Sequence, residues 1–182
     1  RRRHTRYISV TGVQTWALPI LMVWIAKTRT EADSSARRWV DMAFTGNYCC
    51  NTLRSGLANG TINLTSDTFY MALYNNSATL DATTSEYTAT GEVSGTGYST
   101  GGQLVTTTVS SQVTASGTSI TYVNFSSPSW SAALTARGAL IYKAGTNGAV
   151  CVLDFGSDKT SSSTFTVQMP ADTSTSALIR LV

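Results

Sequence analysis

The chain has 182 residues, 42% of them hydrophobic and only 13% charged, with a net charge of +3 and a single histidine. That length suits one domain with a sizeable core. The charge is unevenly held, because residues 1–41 carry net +5 and residues 42–182 net −2, so the basic balance gives no nucleic-acid footprint beyond the first segment.

The N-terminal segment imitates a secretory signal. Arg1, Arg2, Arg3 and Arg6 precede an apolar run, WALPILMVWIA, at 16–26. The run is too short to cross a bilayer, Pro19 interrupts it, and Lys27 and Arg29 follow where a small-residue cleavage site belongs. VTGVQTWALPI at 10–20 resembles the conceptual translation of a common short-read sequencing adapter, VTGVQTCALPI, with Trp16 in place of Cys. The expectation is therefore a non-native or disordered extension over 1–41 and one domain over 42–182, starting at Met42.

Within that domain, residues 47–58 place Tyr48, Leu53 and Leu57 at helical spacing with Gly60 beyond, which predicts a short N-terminal helix. Residues 68–74 (TFYMALY) are apolar on both parities, as in a strand covered on both faces. Asn75 and Asn76 close it. A long loop follows, holding Asp81, Glu86, Tyr87 and Glu92 and ending in GEVSGTGYSTGG at 91–102. That run lacks the Gly-Lys-Ser/Thr ending of a phosphate loop, and no D-x-D-x-D-G pattern supports calcium, so it reads as a flexible turn segment.

Further strands are predicted over 104–109, 119–125, 138–143, 149–155, 164–169 and 177–182, separated by turn residues such as Ser116-Gly117 and Gly156-Ser157-Asp158. The strongest hairpin signal is ALIYKAGTNGAVCVLDF, two apolar runs flanking a Gly/Asn loop. Residues 42–182 contain 25 Thr and 20 Ser, which suit a half-exposed pleated surface without adding charge. The fold class is all-β, an antiparallel β-sandwich or jelly roll with a short N-terminal helix.

Catalytic chemistry is scarce. His4 lies in the first segment, so residues 42–182 have no histidine to activate a nucleophile or bind a metal. Asp154 and Asp158 are the closest carboxylates for a glycosidase-like pair, but the first reads as a strand end and the second as a turn residue. Cys49, Cys50 and Cys151 form neither a disulfide framework nor a zinc spacing, and Cys151 reads as a small buried residue in a reducing environment. No catalytic, cofactor-binding or metal residue is assigned. Trp130, with Tyr87 and Tyr98, forms the candidate set for a subunit interface or a glycan-stacking platform, against a plain core reading for the tryptophan.

From Met42 onward the chain resembles a group of small all-β bacteriophage virion proteins, of head decoration, head fibre or tail structural type. The residues carrying the resemblance are MAFTG, SDTFYMALYNNSATLDATTSEY, GEVSGTGYSTGG, FSSPSWSAALTARGALIYK and AVCVLDFGSDKTSSSTFTVQMPADTSTSALIRLV. It implies a non-enzymatic role in the virion after assembly in the host cytoplasm. The implied partners are other capsid or tail proteins and further copies of the chain, with no nucleic acid, membrane or cofactor. The alternatives are a carbohydrate-binding or host-adhesion module that takes a surface glycan, and a carboxylate hydrolase.

Overall fold

A computed structural model of the chain describes Phe44 and residues 46–181. The expectations for residues 1–41, for His4 and for a start at Met42 lie outside the described residues. The elements in chain order are β1 (Tyr48–Cys49), α1 (Asn51–Asn59), β2 (Phe69–Tyr74), β3 (Gln103–Val105), β4 (Thr107–Val113), β5 (Ser119–Phe125), β6 (Ser129–Trp130), β7 (Thr135–Lys143), β8 (Ala149–Thr160), β9 (Phe165–Thr166) and β10 (Ile179–Leu181). They form a five-stranded sheet in the order β1-β8-β7-β2-β3, a three-stranded sheet β10-β5-β4 and a two-stranded pair β6-β9. Every pairing between these strands is antiparallel.

The double-sided character of β2 organises the fold. Phe69, Met71 and Leu73 join Ala139, Ile141, Cys151 and Leu153 in one core cluster. That cluster also takes in Val123, Phe125 and Ile179 from the three-stranded sheet and Trp130 and Phe165 from the two-stranded pair. Ala72 and Tyr74 enter a second cluster with Leu140, Tyr142 and Val152, closed by Phe44, Cys50, Ala78 and Leu80. The side-chain period of two sends alternate residues to opposite faces, so a strand apolar on both parities must be covered on both.

The β7–β8 hairpin turns through Lys143 N–H donating to the Gly148 carbonyl at 2.9 Å. Gly145 (φ 82°) and Asn147 (φ 59°) supply its left-handed residues, which explains the Gly/Asn composition read in the sequence.

Several predicted boundaries move. The helix starts at Asn51, because Tyr48 and Cys49 pair with Val152 and Cys151 as a two-residue strand. The single strand expected over 104–109 is two strands in different sheets, broken at Thr106. The strand expected over 164–169 narrows to Phe165–Thr166, and Ser129–Trp130 pairs with it unforeseen.

Residues 156–158, expected as a turn, lie inside β8. Their pairing partners explain this: Ala136 faces Lys159 and Gly138 faces Asp154, so Phe155, Gly156, Ser157 and Asp158 bulge against Arg137 alone. Turn-type composition here makes a bulge, and the strand resumes until Thr160 pairs with Thr135.

Candidate functional site

The residues singled out in sequence converge on the loop between β2 and β3, and its centre is Glu92. One carboxylate oxygen accepts from the Tyr87 hydroxyl at 2.5 Å. The other accepts from the Tyr98 hydroxyl at 2.7 Å and from the Gly101 amide at 2.7 Å. Tyr98 Oη in turn accepts the Leu73 amide at 2.9 Å, and Tyr142 donates to the Gly101 carbonyl at 2.8 Å. Burial first, and then the bond to Glu92, hold the Tyr87 and Tyr98 phenols above their ordinary pKa. Tyr74 and Tyr142 are raised as well, burial leading and the Glu92 charge following.

The backbone reinforces this carboxylate hub. Asn75 donates to the Gly91 carbonyl and Val93 to the Leu73 carbonyl, both at 2.9 Å, so the start of the Gly-rich run extends the end of β2. At Gly102 (φ +76°) an added Cβ would stand 1.8 Å from the Met71 carbonyl oxygen. The run expected to be a flexible turn is thus tied directly to the central strand.

Trp130 is 1% exposed. Its ring lies 6.0 Å from that of Tyr98 and 6.4 Å, edge-on, from that of Phe165. Tyr87 stacks on Tyr142 at 4.6 Å. Of the three candidate contact residues, Tyr98 and Trp130 come together directly, and Tyr87 joins them through Glu92. Trp130 is buried in the core, while Tyr87 and Tyr98 are half-buried. A glycan-stacking platform needs an exposed ring face, and Trp130 has none.

Asp154 and Asp81 are engaged locally. Asp154 is ion-paired with Arg137 and also accepts the Gly156 amide, while Asp158 lies in the bulge of β8. Asp81 accepts from the Thr83 amide and hydroxyl, both at 2.7 Å, which holds its carboxyl below the usual range. Among the described residues no group of three acidic, cysteine or histidine side chains is placed to hold a metal ion. An open groove of about 620 Å³ runs between the bulged part of β8 and β9, with Phe155, Phe165, Val167 and Met169 along it.

The apolar side chains that do face solvent were missed in sequence. Val113 is 67% exposed, Leu104 55%, Leu181 42% and Val109 40%. Register puts Val109, Ser111 and Val113 on the face that holds Val123 and Phe125, and Leu181 opposite Thr121 on that same face. The β4–β5 hairpin therefore carries the core-facing side of its sheet past the end of the core. β4 also ends the sheet order, so its outer edge pairs with no strand among the described residues. Comparison of the chain with protein families, curated proteins and solved structures returns no match.

Proposed function

We propose that this chain is a non-enzymatic structural component of a bacteriophage particle, a head decoration, head fibre or tail accessory protein. It acts by contact with further copies of itself and with neighbouring virion proteins. The identity rests on the resemblance that runs from Met42 onward. The mode of action rests on one observation, the exposed apolar face and open edge of β4. In this reading the three-stranded and five-stranded sheets pack as an antiparallel β-sandwich around their shared cluster, and β4 is the side offered to a partner.

A seven-residue edge strand presents unpaired backbone donors and acceptors that template another strand. Val109, Val113 and Leu181 add apolar area to the same side. A specific interface buries about 1,600 Å² in total, and copies on a symmetric lattice add avidity to modest individual contacts. Low charge and a Ser/Thr-rich surface keep such tiling free of strong like-charge repulsion.

The test is electron microscopy of phage particles from a lysate expressing the chain, labelled with an antibody against it. Regularly spaced label on intact particles is the expected result. Label confined to the soluble fraction overturns the proposal.

A further inference from the structure

Cys49 and Cys151 face each other across the β1–β8 ladder, with their Sγ atoms 3.9 Å apart. The neighbouring Cys50 amide donates to the Val150 carbonyl at 2.9 Å, which makes residues 50 and 150 a hydrogen-bonded pair. Pairs alternate along an antiparallel ladder, so Cys49 and Cys151 form a non-hydrogen-bonded pair, the kind whose Cα atoms approach to about 4.5 Å and whose side chains lie closest. That spacing falls inside the range a disulfide spans without backbone movement.

We propose that Cys49 and Cys151 are an oxidation site, a cross-strand disulfide that forms after folding and staples β1 to β8. The site is separate from the β4 surface and does not depend on the function proposed above. The third thiol is placed differently. Cys50 points into the other cluster, its Sγ 3.9 Å from the Asp81 carbonyl, and burial pushes its pKa up to about 12. Cys49 has the more reactive setting, because its contact with the Cys151 sulfur and then the Arg54 charge favour its thiolate against the opposing effect of burial. It is 7% exposed and sits on a two-residue outer strand whose opening uncovers it.

The chemistry balances with a small-molecule disulfide such as oxidised glutathione as the oxidant. The Cys49 thiolate attacks one glutathione sulfur, breaking that S–S bond and releasing one glutathione thiolate. The Cys151 thiolate then attacks the Cys49 sulfur of the mixed disulfide and releases the second. The two protons given up by the cysteines end on the two glutathione thiols, and the protein is oxidised by two electrons. The resulting bond closes a loop across a sequence separation of 102 residues. A loop of this length constrains the unfolded chain strongly.

The experiment treats the full chain with oxidised glutathione, blocks remaining thiols after denaturation, and maps the peptides by mass spectrometry. The expected product is a linked Cys49–Cys151 peptide pair with Cys50 alkylated, and the same product from Cys50→Ala. The oxidised protein should melt roughly 10 °C above the reduced one, reversed by dithiothreitol and absent in Cys151→Ala. Three alkylated cysteines, a Cys49–Cys50 bond or a stable glutathione adduct would each overturn the assignment.

Discussion

If β4 is the assembly edge, Val113→Lys should weaken self-association without unfolding the protomer. Fully burying a valine contributes about 1.5–3 kcal/mol. Val113 is 67% exposed in the protomer, so covering it in an interface adds about 1–2 kcal/mol per copy. A two-fold contact uses the residue twice, for about 2–4 kcal/mol. Tenfold in Kd corresponds to about 1.4 kcal/mol, so the variant should associate about 30- to 700-fold more weakly. Sedimentation equilibrium over a dilution series measures both constants. Because the side chain faces solvent, the thermal midpoint should move by no more than about 2 °C. An equal Kd for wild type and variant refutes the role of β4, as does a wild type that stays monomeric at every concentration reached.

Three further predictions concern the interior. Gly102→Ala adds a Cβ against the Met71 carbonyl at a positive φ, so it should cost at least about 2 kcal/mol in urea unfolding or abolish soluble expression; a midpoint equal to wild type would refute the close approach. Trp130→Ala empties a buried site between Tyr98 and Phe165 and should cost about 3–5 kcal/mol in urea unfolding, whereas a surface tryptophan would cost well under 1 kcal/mol. Glu92→Gln keeps the shape but removes the charge that Tyr87, Tyr98 and Gly101 donate to, at about 2–3 kcal/mol. In wild type the raised Tyr74, Tyr87, Tyr98 and Tyr142 phenols favour the fold below the ordinary phenol value of about 10, and that stability is lost as pH climbs through their higher folded values. Absorbance titration should show these tyrosines ionising late, and Glu92→Gln should bring Tyr87 and Tyr98 forward; an unchanged titration would remove the charge from the explanation.

How much of this was legible in sequence depends on the range of the interaction. The doubled apolar parity of 68–74 identified the two-faced β2, because pleat geometry is a local rule. The β7–β8 hairpin was legible for the same reason, since Gly145 and Asn147 sit where the turn needs left-handed residues. The break at Thr106 was hidden: GQLVTTTV reads as one strand, and only pairing with the distant β5 in a second sheet makes β4 leave β3. The bulge of Gly156, Ser157 and Asp158 was also hidden, because its partner Arg137 lies in another strand.

The surroundings of the candidate residues were legible only in part, and the reason is physical. Glycine- and serine-rich runs are loose only when nothing fixes their backbone, and here the fixing group is Glu92, the one acidic residue in the run. Sequence marked Tyr87 and Tyr98 correctly as the special side chains of the loop, but a phenol in a polar segment reads equally as a contact outward or a donor inward. A carboxylate five residues from one tyrosine and six from the other decides it, since burying any of the three is favourable only if the hydroxyls meet the charge. At β4 the strand read from sequence ended at Val109, and a period of two says which side chains share a face but nothing about where the core against that face ends. The Tyr87 and Tyr98 hydroxyls therefore order the loop through Glu92, and aliphatic residues on a strand edge are left exposed.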